Sequence, residues 1–177
     1  MAAEKKGHNF MRLLGAVISG ITLLFSLSGC SSYPHQGWLE DDSLDKIAEK
    51  RCTDIISALE NNDKEAIKSM FSKQALEKIE NIDKNIIYAI DYYNGNLMSS
   101  EKAISTEENL NGKNKKVTIK ADYTITTDMN TYNLFFIEKS NTENSDEDGL
   151  YLFQLAKESE VEKVQGCLDA GIYVPKE

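Results

Sequence analysis

Upstream of Gly95 the apolar residues of this chain recur every three or four positions; downstream of it they recur every two. The first period belongs to helices that bury one stripe and the second to strands that bury one face. Leu44, Ile47, Ala48, Cys52, Ile55, Ile56 and Leu59 mark an amphipathic helix, with Asp42 or Ser43 placed to cap it and Asn61-Asn62 to stop it. A second helix starts behind Asn62 or Asp63 and carries Ala66, Ile67, Met70 and Phe71, and Ser72 restarts a short continuation through Leu76 and Ile79. Ile82, Ile86, Ile87, Ala89, Ile90 and Tyr93 form the stripe of a third, which Asn94-Gly95-Asn96 ends.

Beyond Gly95, Val117, Ile119, Ala121, Tyr123 and Ile125 alternate with Thr118, Lys120, Asp122, Thr124 and Thr126, the pattern of a strand with one wet face. Met98 to Glu108 is its expected hairpin partner through Asn111-Gly112. Thr131 to Lys139 is apolar on both faces and is expected at the centre of the sheet, and Leu150 to Ala156 is the next strand. The acidic stretch 140–148 between them lacks the ligand spacing of a calcium loop and is expected to be a solvated turn. From Lys157 to Ala170, Val161, Val164 and Leu168 fit a short helix, while the Glu-rich start fits a loop. The sum is an α+β domain over 42–177, with three N-terminal helices packed on a curved four-stranded antiparallel sheet. This order of elements, from Asp42 to Ala156, resembles the nuclear transport factor 2-like (cystatin-like) cone. The resemblance implies a bent sheet wrapping a helix, with a pocket between them.

Ahead of the domain, Leu13 to Leu27 is a run of 15 apolar or small residues behind Lys5, Lys6 and Arg12. Spanning a bilayer takes about 20 apolar residues, so the run is a secretory signal rather than a membrane helix. Leu27-Ser28-Gly29-Cys30 resembles the bacterial lipobox, which implies cleavage between Gly29 and Cys30 and a diacylglyceryl group on the Cys30 thiol. The expected organisation is a lipoprotein signal peptide over 1–29, a lipidated tether over 30–41 and the domain after it. A tether of that length spans only ~20 Å, which keeps the domain near the membrane. Trp38 is expected to pack on the domain rather than touch headgroups.

Eighteen of the 20 basic residues are Lys, and Asn is abundant. That bias resembles proteins of low-GC Gram-positive bacteria and places the domain on the extracytoplasmic face of the cell membrane; in a Gram-negative host, Ser31 after the lipidated cysteine points to the outer membrane. The ending Gly171-Ile172-Tyr173-Val174-Pro175, combined with the lipobox and this core, is similar to a family of secreted Gram-positive lipoproteins of unknown function. That resemblance carries no activity with it.

Residues 30–177 hold 17 basic and 28 acidic groups, a net of −11. Such a surface repels phosphate backbones, so nucleic acid is not an expected partner. His8 falls in the signal and His35 in the tether, which leaves the domain without histidine and removes Ser-His-Asp, Cys-His and His-ligated zinc chemistry. No Gly-rich phosphate loop, CxxC, HExxH or GxSxG occurs, and no cofactor or metal is expected. Cys52 lies on an apolar stripe, where a thiol is inert. With Cys30 lipidated, Cys52 and Cys167 are the only thiols left, either separate or paired in a disulfide, with separate thiols the base expectation.

One cluster stands out as a ligand pocket. Tyr88, Asp91 and Tyr92 are spaced i, i+3, i+4, along one face of the third helix. Tyrosines around one carboxylate suit a small amphipathic ligand, whereas plain packing at a helix end would leave the hydroxyls in water. The expected function is a non-catalytic binding module for a small ligand or an envelope protein. The alternatives are a small enzyme using carboxylate and tyrosine acid–base groups, or a structural or immunity-type lipoprotein acting through its surface.

Overall fold

The computed structural model describes residues 38–110, 116–141 and 144–176, which fall in one compact unit. The expected signal, the expected Gly29-Cys30 cleavage point, most of the expected tether and the expected Asn111-Gly112 turn lie outside the described residues. Helix α1 runs Trp38–Glu60, four residues earlier than expected. Its core face is Ala48, Cys52, Ile55, Ile56 and Leu59. Ile47, expected in that stripe, is 43% exposed instead, because it sits one residue off the inward line.

The chain leaves α1 through Asn62, whose φ of +53° is a left-handed conformation that asparagine tolerates. Asp63 then caps α2 (Lys64–Met70) by accepting the Ala66 N–H at 2.9 Å. The expected continuation is a separate helix, α3 (Lys73–Lys78), so the described residues hold four α-helices rather than three. The break has a cause in the sheet. Phe71 turns extended and bridges Leu150, the Ser72 N–H donates to the Leu150 carbonyl at 3.0 Å, and the Ser72 hydroxyl caps α3 by accepting the Ala75 N–H. Gly149, at φ +123°, permits this approach: a Cβ there would lie 2.7 Å from the Met70 carbonyl oxygen. Helix α4 spans Ile82–Tyr92 and buries Ile86, Ala89 and Ile90, while Ile87 is 39% exposed.

The strands are β1 (Leu97–Leu110), β2 (Lys116–Thr127), β3 (Thr131–Asn141), β4 (Gly149–Lys157) and β5 (Gly171–Tyr173). They stand in the order β1-β2-β3-β4-β5, antiparallel through β4, with β3 in the centre as its two apolar faces require. Among the described residues the sheet has five strands rather than four, because Gly171–Tyr173 pairs parallel with β4 after a crossover. The register aligns Ala121, Phe136, Phe153 and Ile172 across four strands, all buried in the core. Register shifts between Leu97 and Ser99, between Lys102 and Ile104, and between Ile137 and Glu138 interrupt the ladder where bulges bend a sheet.

Ile137, Leu152 and Ala156 alternate with the core-facing residues and are buried as well. The crossover covers them: its 3-10 segment, Glu158–Lys163, runs against β3 and β4, and the buried Gln154 side chain donates to the Cys167 carbonyl at 2.6 Å. The protein is therefore a mixed α+β fold whose mostly antiparallel sheet has helices on one face and the crossover on part of the other. Among the described residues no helix is long and apolar enough to cross a membrane.

Candidate functional site

Helix α4 delivers the tyrosines, and a tyrosine from the sheet fixes where α4 ends. The fully buried Tyr132 hydroxyl accepts the Asn94 N–H at 2.8 Å and lies 3.3 Å from the carbonyls of Tyr92 and Asn94. Its ring stacks on Tyr93 at 5.3 Å and meets Tyr92 edge-on at 5.9 Å. With α4 pinned in this way, Tyr88, Asp91, Tyr92 and Asn94 form one wall of a groove of about 520 Å³. The structure thus brings together the three residues expected to share a pocket.

The opposite wall is Lys157, Glu160 and Lys163, with Pro175 closing one side. The Tyr92 hydroxyl joins the two walls: it accepts the Lys157 N–H at 2.8 Å and donates to Glu160 Oε2 at 2.7 Å. Lys163 Nζ donates to the other oxygen, Glu160 Oε1, at 2.6 Å. Lys157 Nζ stands 5.5 Å over the Tyr92 ring. The hydrogen bond from Lys163, followed by that from Tyr92, holds the Glu160 carboxyl below the usual glutamate range. Burial first, with Glu160 adding to it, pushes the Tyr92 hydroxyl well above the usual tyrosine value.

Sequence reasoning missed the second wall, although its signal was present. A 3-10 segment has three residues per turn, so positions 157, 160 and 163 fall on one face, and they read Lys, Glu, Lys.

A second cleft, of about 700 Å³, opens between α1, α2 and the β3–β4 end of the sheet, and no feature of the sequence pointed to it. Its floor is Arg51, whose Nε and Nη2 bond the two carboxylate oxygens of Glu138 at 2.7 and 2.8 Å. Around that pair the polar groups serve the fold: Asp54 is bonded to Lys50, Asp63 caps α2, and Lys139 Nζ lies 3.7 Å over the Tyr151 ring. The cleft is larger than the tyrosine groove, yet its chemistry is structural. The groove is the better candidate because its aromatic wall is exposed, Tyr88 by 40%.

Cys52 and Cys167 are both free thiols. Cys52 packs in the core beside β2, while the Cys167 carbonyl is tied to Gln154 on β4. With β3 between them, those strands stand about 10 Å apart, too far for a disulfide. Burial pushes the Cys52 thiol up to about 12, which leaves it inert. Among the described residues no group of three or more His, Cys, Asp or Glu is arranged to hold a metal ion.

Residues 54–158, more than half of the chain, match the model of a family described as Domain of unknown function (DUF5104). The chain belongs to this family. The DUF5104 match takes in Tyr88, Asp91, Tyr92, Asn94 and Lys157 of the groove, and Glu138 of the cleft, and ends before Glu160 and Lys163. No curated protein matches the sequence.

Proposed function

We propose that this DUF5104 protein is a bacterial lipoprotein, anchored through a lipid on Cys30 to the extracytoplasmic face of the cell membrane. Its folded part is a non-catalytic module of nuclear transport factor 2-like architecture that binds a small ligand. The anchor reading is supported by the apolar run over 13–27 and by Leu27-Ser28-Gly29-Cys30. The architecture reading is supported by a bulged, mostly antiparallel sheet with helices on one face.

The observation that carries the binding role is the tyrosine groove, whose volume falls in the range of about 300–1,000 Å³ used by small-molecule sites. Its titratable groups favour holding over proton transfer. A general acid or base works best with a pKa near the working pH, but here Glu160 is held low and Tyr92 is driven high. No histidine stands in 38–177 to take either role.

The test is intact-mass analysis of the protein extracted from its own membranes, first denatured and then under native conditions. A diacylglyceryl mass on a chain beginning at Cys30, and an additional small-molecule mass retained only in the native spectrum, is the expected result. An unmodified chain that keeps residues 1–29 overturns the anchor, and a bare native chain counts against a resident ligand.

A further inference from the structure

The ionisable side chains of the tyrosine groove cancel: Asp91 and Glu160 against Lys157 and Lys163. Glu160 is already engaged by Lys163 and by the Tyr92 hydroxyl. An ionic ligand therefore meets no net charge to compensate its loss of water, a cost that recognition of ions has to cover.

The other polar groups of the groove are not tied up in this way. The half-exposed Tyr88 hydroxyl, the Asp91 carboxylate and the Asn94 side-chain amide make no hydrogen bond among the described residues. The Lys157 ammonium stands over the Tyr92 ring, in the field of the Glu160 carboxylate but not hydrogen-bonded to it. Asp91 offers acceptors, Tyr88 and Asn94 offer donors and acceptors together, and Lys157 adds a donor from the other wall. A hydroxyl group both donates and accepts, and the C–H face of a sugar ring is weakly positive, the complement of an aromatic face.

We infer that the groove takes a neutral, polyhydroxylated ligand, a short oligosaccharide, with a sugar ring against Tyr88 and its hydroxyls on Asp91, Asn94 and Lys157. This deepens the binding reading given above and rests on it. The same chemistry is offered by free oligosaccharides and by the glycan strands of a cell wall.

The test is calorimetric titration of the full-length protein, held in a sugar-free detergent, with chitotriose, maltotriose, inorganic phosphate and spermidine. One of the two sugars is expected to bind. Tyr88→Ala, at a half-exposed position, is expected to weaken that binding by about tenfold or more, while Tyr88→Phe, which keeps the ring face, stays within about threefold. The amide resonance of Lys157, followed by NMR in a parallel titration, is expected to shift. Co-sedimentation with insoluble cell-wall glycan alongside sugar binding identifies the wall as the source; sugar binding without it identifies a free oligosaccharide, and either supports the class. Phosphate or spermidine binding in place of both sugars overturns the oligosaccharide and leaves the ligand reading standing. No binding of any probe, together with a bare native mass, overturns both.

Discussion

Arg51 on α1 and Glu138 on β3 stand 87 residues apart in the chain and meet as a doubly hydrogen-bonded ion pair, at 2.7 and 2.8 Å, with side chains only 19% and 11% exposed. A pair this sheltered has lost most of its water, so each charge depends on the other. Arg51→Ala or Glu138→Leu alone is expected to cost roughly 3–5 kcal/mol in urea unfolding. The double replacement Arg51→Met with Glu138→Leu is expected to return to within about 1 kcal/mol of the parent, since two apolar groups leave no orphaned charge. Single changes that cost almost nothing would show that water reaches the pair.

Tyr123 makes the opposite case. It is buried, stacks on Phe136 at 6.1 Å, and its hydroxyl has no hydrogen-bond partner among the described residues. An unsatisfied buried hydroxyl costs stability, so Tyr123→Phe is expected to raise the unfolding free energy by about 1 kcal/mol. Destabilisation by this change would mean that the hydroxyl finds a partner in solution.

Gly95 ends the helical half at φ +96°, and a Cβ there would lie 2.5 Å from Asp128 Oδ1 and 2.7 Å from Thr127 Oγ1. Asp128 cannot simply move aside, because it accepts from the Asn96 backbone N–H at 2.8 Å and from its side chain at 3.2 Å. Gly95→Ala is expected to lose roughly 1–3 kcal/mol through backbone strain and displaced hydrogen bonds. Thermal unfolding measures it, and an unchanged midpoint would count against the geometry at this corner.

Thiol labelling separates the two cysteines of the domain. Cys52 is buried, with its thiol pushed up to about 12, whereas Cys167 is half-exposed. In native protein at pH 8, Ellman's reagent is expected to modify Cys167 alone, and to reach Cys52 only when urea is added. Equal rates at the two sites, or no free thiol at all, would contradict the packing of α1.

The bond between the groove walls is expected to be acid-labile. Glu160 titrates below the ordinary glutamate value of 4.5, so the stability it contributes is present above that pH and is lost as pH falls through the folded-state value. The Lys157 N–H, which donates to the Tyr92 hydroxyl, is the reporter. Its chemical shift is expected to move in acid in the parent and to stay flat in Glu160→Gln. A transition centred above 4.5 would show that Lys163 and Tyr92 do not stabilise the carboxylate.

The parts of the fold legible in the sequence are those set by local period. The helix stripes, the strand alternation from Val117 to Ile125 and the central place of β3 follow from side-chain spacing over a dozen residues. Tyr88, Asp91 and Tyr92 were legible as a group for the same reason. Contacts that close across the chain left little local trace. Three residues suffice for β5 because β4 supplies the pairing, and α3 exists apart from α2 because Leu150, some 80 residues on, takes the Ser72 N–H. Arg51 and Glu138 each look like surface charges until the topology brings them together. Ile47 and Ile87 show the limit of counting apolar residues, since a stripe has room only for those on its centre line.

Helix α1 fixes a distance as well as burying a stripe. At 1.5 Å per residue its 23 residues measure about 34 Å. Near its start Asp45 is bonded to Lys102; at its end Glu60 accepts the Leu97 N–H at 2.6 Å and the Tyr93 hydroxyl at 3.4 Å, beside the residue that joins the groove walls. The Lys102 and Leu97 ties both hold β1, the edge strand of the sheet, so the helix works as a batten: the strand cannot slip along β2 by one residue without losing the Lys102 ion pair and the Leu97 hydrogen bond together.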